Sequence, residues 1–278
     1  MNQFGGDWTK IKIEILVEYA KAYLHIMKSR RFFKLMYFDG FAGSGSIQNE
    51  TQFGVDITVG AARRIIEISE PRPFDTYYFV EKDPKNFALL EQSTKHAFPK
   101  KAIFAIREDC NKKLLDLSNF LRNSKNKNYR TLVYIDPCGM QVEWRSIESL
   151  RGLHIDMWVL VPTGLGVNRL LKKDGQIEDA WLEKLEIFLG LPKEEIIAKF
   201  YKKTPSLFED LTFVDKISHA IEKSAEIYRN RLKDVFQFVS KPYELKNSTN
   251  SIMYHLFLTS NTQAAVKIGN DIVKKFTK

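Results

Sequence analysis

Tyr37-Phe38-Asp39-Gly40-Phe41-Ala42-Gly43-Ser44-Gly45-Ser46 is the stretch on which the fold turns. The apolar run Leu35 to Phe38 enters it as a strand, an acid follows, and Gly40, Gly43 and Gly45 leave the loop with little side-chain bulk. Glycine has no Cβ and takes positive φ at no steric cost, so such a loop turns tightly and lets a ligand approach its backbone. A strand running into it predicts the first crossover of an open α/β sheet, with a ligand crevice beyond the strand's carboxyl end.

Outward from that loop, the same pattern recurs. A second strand, Thr76–Val80, ends in Glu81-Lys82-Asp83-Pro84, the place where adjacent ribose hydroxyls are accepted in such sheets. A third, Ala102–Ile106, leads to Asp109-Cys110, and a fourth, Thr131–Ile135, to Asp136-Pro137-Cys138-Gly139. A fifth, Ile155–Val161, runs into Thr163-Gly164-Leu165-Gly166, with Arg169, Lys172 and Lys173 just beyond. Helical spacing predicts helices near 59–69, 84–96, 114–121 and 143–152, and an amphipathic helix over 9–28 with Thr9 as its N-cap. Residues 47–58 read as an irregular excursion at the crevice rim. Three helical segments, at 176–190, 193–203 and 215–234, form a helical insertion of about 165–234 between strands five and six. Strands Val235–Val239 and Met253–Leu258 read as a hairpin about Asn247–Asn250, and a helix at 262–276 ends the chain. The expected architecture is one α/β domain over 1–278, a Rossmann-like doubly wound sheet with a helical insertion.

Composition agrees with a globular chain. Of 278 residues, 44% are hydrophobic and 13% aromatic, enough for a core without disulfides. The two cysteines, Cys110 and Cys138, form no CxxC or Cys/His cluster, so no metal site is expected. No apolar run is long enough to span a membrane and the first residues do not read as a signal peptide, so a cytoplasmic protein is expected. The net charge of +9 is spread over both halves and permits a polyanionic partner. Two basic runs, Lys28–Lys34 and Arg122–Arg130, each precede a strand and fall at the sheet edge opposite the crevice. They read as solvated surface or a partner face.

Acids at four strand ends around one Gly loop call for a ligand with positive charge and many donors. A dinucleotide would set Asp39 against its pyrophosphate, where neutral glycines and a helix N-terminus are wanted. S-adenosylmethionine, with an ammonium, a sulfonium, ribose hydroxyls, an adenine amino group and no phosphate, suits them better. Gly40, Phe41, Ala42, Gly43 and Gly45 then admit the methionine moiety and Asp39 helps hold its ammonium. Glu81, next to Lys82, takes the ribose hydroxyls, and Asp109 and the Cys110 N–H meet the adenine. Asp136, Pro137 and Cys138 face the methyl group as the catalytic segment. Arg169, Lys172 and Lys173 are the cations best placed to meet a substrate or partner.

Asp39-Gly40-Phe41-Ala42-Gly43, Glu81-Lys82, Asp109-Cys110-Asn111 and Asp136-Pro137-Cys138-Gly139-Met140-Gln141-Val142-Glu143-Trp144 resemble the three-Cys-motif partner family. Ile147-Glu148 and Gly164 to Leu171 do so too. The resemblance implies a class I S-adenosylmethionine-dependent methyltransferase fold, with a seven-strand sheet whose last strand is antiparallel. It also implies a second, cysteine-containing protein as partner, and leaves a nucleic-acid or protein methyl acceptor open. Cys138 departs from the aromatic expected at its position, and a cysteine cannot stack on an extruded base. As a nucleophile it would need a depressed pKa. Two other readings stand beside methyl transfer: a non-catalytic cofactor- or partner-binding module, and a nucleotide-dependent oxidoreductase, against which Asp39 argues.

Overall fold

The computed structural model describes residues 7–44, 46–51, 54–172, 177–205 and 212–277. Five parallel strands form the heart of the sheet: β1 (Lys34–Asp39), β2 (Thr76–Val80), β3 (Ile103–Ile106), β4 (Tyr129–Ile135) and β5 (Ile155–Val161). After the insertion come β6 (Phe238–Val239), β7 (Tyr243–Lys246) and β8 (Ile252–Ser260). The spatial order is β6-β8-β5-β4-β1-β2-β3, and β8 runs antiparallel to β5, Leu256 opposite Leu160. Both β6 and β7 pair with β8, at Val239–Thr259 and Tyr243–Leu256, so they occupy one sheet position as two pieces. The break falls at Ser240-Lys241-Pro242. There the Ser240 N–H bonds the Leu258 carbonyl at 2.8 Å, and the Leu258 N–H bonds the Ser240 hydroxyl at 3.0 Å. The expected seven-position sheet with an antiparallel last strand is present.

Helices cover both faces, so the central strands are apolar almost throughout rather than alternating. One face carries α1 (Asp7–Met27), α2 (Ala61–Ile66), α3 (Pro84–Glu91) and α9 (Gln263–Lys274). Tyr37 and Leu35 of β1, and Trp158 and Leu160 of β5, point that way. Tyr19 of α1 meets Trp158 edge-on, with ring centroids 5.5 Å apart. The other face is packed by α4 (Cys110–Arg122), α5 (Trp144–Glu148), α6 (Asp179–Leu189), α7 (Lys193–Phe200) and α8 (Ala220–Val235), over Met36, Phe38, Val133 and Val159.

Five local expectations need correction. The strand expected over Val235–Val239 is strand only at Phe238–Val239, since Val235 ends α8, and the turn about Asn247–Asn250 joins β7 rather than β6 to β8. Residues 46–51 and 54–59 form an antiparallel hairpin, not an irregular excursion; Val55, Ile57 and Val59 alternate at strand period in the sequence. The insertion is not wholly helical: Tyr201–Pro205 and Thr212–Lys216 pair as a second hairpin between α7 and α8. Thr9 lies inside α1, which begins at Asp7. The helix expected over 84–96 ends as α-helix at Glu91, and Gln92–His96 continue as a wider turn. Among the described residues, no helix is long and apolar enough to cross a membrane.

Candidate active site

Strand order reverses between β1 and β4, and an open α/β sheet places its ligand crevice at such a switch point, beyond the carboxyl ends. Asp39 follows Phe38 at the end of β1, and Asp136 comes directly after β4. Each is preceded two residues earlier by a tyrosine. Residues i and i+2 of a strand share a face, so each hydroxyl can reach the next acid. Tyr37 Oη donates to Asp39 Oδ2 at 3.3 Å, and Tyr134 Oη to Asp136 Oδ2 at 3.0 Å.

The two acids differ in what else they meet. Asp39 is buried, and its Oδ1 accepts the Phe41 N–H at 3.1 Å. Burial pushes its pKa up to about 7, a rise that the Phe41 N–H opposes and nearby Asp136 adds to. Asp136 instead has a cation. Lys12 Nζ of α1 lies 2.8 Å from Oδ1 and 2.6 Å from Oδ2, with the two side chains only 10% and 17% exposed. The same ammonium sits 4.9 Å from the Trp8 ring centroid, and Trp8 packs on Tyr254 of β8 at 5.2 Å. The first turns of α1 therefore roof the β4 end of the crevice.

The Gly loop is held tightly on its inner side. A Cβ on Gly40 would lie 2.5 Å from Cys110 Sγ and 2.8 Å from Ile135 Cδ1, so only glycine fits there. The Gly40 N–H bonds the Tyr134 carbonyl and the Ala42 N–H bonds the Val80 carbonyl, both at 2.9 Å, which lays the loop over the ends of β4 and β2. Gly43 has φ of +61° with open space around it. Phe41 packs into the α4-side core. Gly45 lies outside the described residues.

Glu81 leaves β2 with Oε1 accepting the Asp83 N–H at 2.7 Å, which keeps its carboxylate at the strand end. Lys82 reaches across to Asp109 Oδ2 at 3.2 Å. Asp109 is also the N-cap of α4, accepting the Asn111 N–H at 2.9 Å. Its carboxyl stays below the usual range because these donors and Lys82 outweigh its partial burial. Cys110 is buried against Gly40, and burial raises its thiol well above the ordinary value.

Beyond Asp136 and Pro137, the Cys138 N–H bonds Gln141 Oε1 at 3.1 Å, and the Cys138 carbonyl faces Tyr254 Oη at 3.5 Å. Desolvation and then Asp136 raise the Cys138 thiol, the wrong direction for a thiolate nucleophile. Arg169 is exposed, and close enough to Tyr254 to be felt by its hydroxyl. Lys172 turns to the insertion instead, paired with Glu178 at 3.1 Å and 5.2 Å from the Trp181 ring centroid. Lys173 lies outside the described residues. Asp39, the Gly loop, Glu81, Asp109 and Asp136 thus line one end of the sheet, and Lys172 stands apart.

Sequence reading missed Lys12, Tyr37, Tyr134 and Tyr254. The tyrosine-x-aspartate spacing repeated in Tyr37–Asp39 and Tyr134–Asp136 was a usable signal. So was Lys12, a cation on the same helical stripe as Ile15, Tyr19 and Tyr23, where an apolar residue is expected.

No protein-family model matches the chain, and no curated protein matches its sequence. Among solved structures, protein LPL1258 from Legionella pneumophila matches with a TM-score of 0.52 at 14% identity, over 99% of this chain and 92% of that one. Trm1 from Pyrococcus horikoshii, solved with S-adenosyl-L-methionine, overlaps at a TM-score of 0.49 and 12% identity. That overlap covers 97% of this chain, which spans 59% of the Trm1 chain. A putative S-adenosylmethionine-dependent methyltransferase from Listeria monocytogenes overlaps at a TM-score of 0.38 and 10% identity, over 88% of this chain and 98% of that one. The likeness is one of fold. The strand order and the antiparallel β8 are those of the Rossmann-like class I methyltransferase fold.

Proposed function

We propose that the protein transfers a methyl group from S-adenosylmethionine to an acceptor presented at Asp136. The observation that carries this is the donor set of the crevice. Asp39, Glu81, Asp109 and Asp136 converge on it, and both of its lysines, Lys12 and Lys82, are already paired with two of those acids. Such a surface repels phosphates and suits a cationic nucleoside. When bound, that cofactor supplies an electrophilic methyl group on its sulfonium.

The chain's own residues divide the remaining work. Glu81 Oε1 is engaged by the Asp83 N–H, and Oε2, which has no partner among the described residues, accepts ribose hydroxyls. Asp109 and the Cys110 N–H take the adenine edge. Gly40 to Gly43 keep side chains out of the methionine's path. Asp39 offers no exposed oxygen, so its contribution is to hold the loop through the Phe41 N–H and the Tyr37 hydroxyl rather than to contact the cofactor. Asp136 orients the acceptor and takes its proton, with Tyr134 and Lys12 fixing the carboxylate; proximity supplies most of the rate. The acceptor is a nucleic acid or a protein, approached past Arg169, and the working partner is a three-Cys-motif protein. The resemblance of residues 136–144 and 164–171 supports this. The two stretches adjoin, since a Cβ on Gly166 would meet Met140 Cγ at 2.9 Å.

Labelled methyl transfer from S-adenosylmethionine into fractionated cell extract, with the candidate partner added, tests the reading. Asp136→Asn should lower transfer about a hundredfold or more, the scale of a lost general base. Transfer that survives Asp136→Asn would remove the assigned base. The second reading, a cofactor-binding module without catalysis, is favoured by one observation: Lys12 already closes on both oxygens of Asp136. Cofactor binding without transfer to any fraction would select it.

A further inference from the structure

The two basic runs that the crevice leaves unused come together at the opposite edge of the sheet. The Lys34 N–H bonds the Asn128 carbonyl at 3.1 Å, joining the segment after α1 to the segment before β4. The Arg130 guanidinium lies 3.9 Å from the Phe33 ring centroid, and Lys34 Nζ is 5.6 Å from that of Tyr129. Arg30 is near enough to Arg130 to depress its pKa further, after burial. Lys28, Arg30, Arg31 and Lys34 are exposed on one segment, and Lys125 and Lys127 on the other.

Three features set this patch apart from an ordinary solvated surface. First, neither segment contains an acid, and none of these cations or Arg130 has an ion-pair partner among the described residues. Elsewhere lysines and arginines are commonly paired, as at Arg64–Glu14, Lys112–Glu108 and Lys274–Asp271. Second, the cations are not needed to cap α1. Arg72 already does so, donating to the Met27, Arg30 and Phe33 carbonyls, and Asp75 neutralises it. Third, Phe32 stands in the middle of the basic segment with 78% of its surface exposed. That exposed ring meets Phe33 edge-on at 5.6 Å between centroids, and with the unpaired cations around it supplies the two elements that hold an unstructured polynucleotide: phosphate contacts and a stacking face.

We propose that Lys28–Lys34 and Lys125–Arg130 form a binding surface for single-stranded nucleic acid. It lies at the sheet edge remote from the crevice and does not depend on the methyl-transfer reading. The cations contact phosphates and Phe32 stacks on a base. Such a surface tracks the backbone and reads little sequence.

The test is fluorescence anisotropy with a labelled mixed-sequence 20-nucleotide single-stranded RNA, titrated at several salt concentrations. Wild-type protein should bind, with log affinity falling against log salt by roughly 0.7 per phosphate contacted. The paired reversals Lys28→Glu with Arg31→Glu, and Lys125→Glu with Lys127→Glu, should each weaken binding tenfold or more and flatten the salt slope. Phe32→Ala should weaken it roughly tenfold, the effect of one lost stacked base. The thermal unfolding midpoint of each variant should stay close to wild type, which shows the fold intact and keeps this test separate from the crevice. Conversely, Glu81→Ala should leave RNA binding unchanged. No RNA binding by wild type at low salt, binding indifferent to both reversals, or equal affinity for a poly-glutamate of similar length would overturn the proposal. The last result would show a general polyanion surface, or an acidic protein as its occupant.

Discussion

Asp39 sits beneath the Gly loop with its oxygens turned to the Phe41 N–H and the Tyr37 hydroxyl, and burial carries its pKa up to about 7. Between the ordinary aspartate value and about 7, the folded protein holds a proton that the unfolded chain has released. Stability contributed at Asp39 is therefore complete at acid pH and falls as pH rises through that window. Asp39→Asn imitates the neutral acid without its titration. Urea unfolding of the free protein should give nearly equal stabilities for the two at pH 4. The variant should be the more stable at pH 8, by on the order of a few kcal/mol. Curves that stay parallel across the range would show that Asp39 remains ionised. Gly164 gives a second test at this scale, because a Cβ there would sit 2.0 Å from the Ile252 carbonyl oxygen, which is backbone and cannot swing away. Gly164→Ala should cost about 1–3 kcal/mol through overpacking, read as a lowered Tm. An unchanged Tm would mean that the loop after β5 yields freely.

Helix α1 ties the two ends of the sheet together. Its first turns place Lys12 on Asp136, and its middle lays Tyr19 Oη on Asp156 at 2.9 Å. Its last turn delivers the chain to the basic segment. The Lys12–Asp136 pair is nearly buried, so removing one partner strands the other and should cost about 3–5 kcal/mol, whereas removing both should cost much less than the sum. Unfolding of Lys12→Met, Asp136→Asn and the double variant forms the cycle; strictly additive losses would deny the coupling. The helix itself was legible as an amphipathic run, and its apolar stripe marked the buried face. Lys12 was not read as a site residue, because its partner lies 124 positions away and no local pattern supplies it. The hairpins show the reverse case, where a local signal existed. Strand alternation in Val55, Ile57 and Val59 was outweighed by the polar residues around it.

At the scale of the whole molecule, the sheet was readable because four of its five parallel strands, β1, β2, β4 and β5, are short apolar runs closed by an acid or a proline. Once strands on both faces are buried, that punctuation fixes their ends better than any alternation does. The crevice acids followed from the same punctuation, since all of them close strands at one edge. The broken sixth position was not readable, because Phe238–Val239 and Tyr243–Lys246 are too short to signal apart from β8. The tyrosines behind Asp39 and Asp136 looked like core, and they are core as well as donors. The proposed function therefore rests on a set of carboxylates gathered at one end of the sheet.

Isothermal titration calorimetry with S-adenosylmethionine, NAD and ATP, on wild type and Glu81→Ala, tests that account most directly. Wild type should bind one S-adenosylmethionine per chain and bind NAD and ATP far more weakly. Glu81→Ala should lose about 1.5–3 kcal/mol of cofactor binding, the worth of charge-assisted hydrogen bonds to the ribose. Tighter binding of NAD or ATP, or an S-adenosylmethionine affinity untouched by Glu81→Ala, would contradict it.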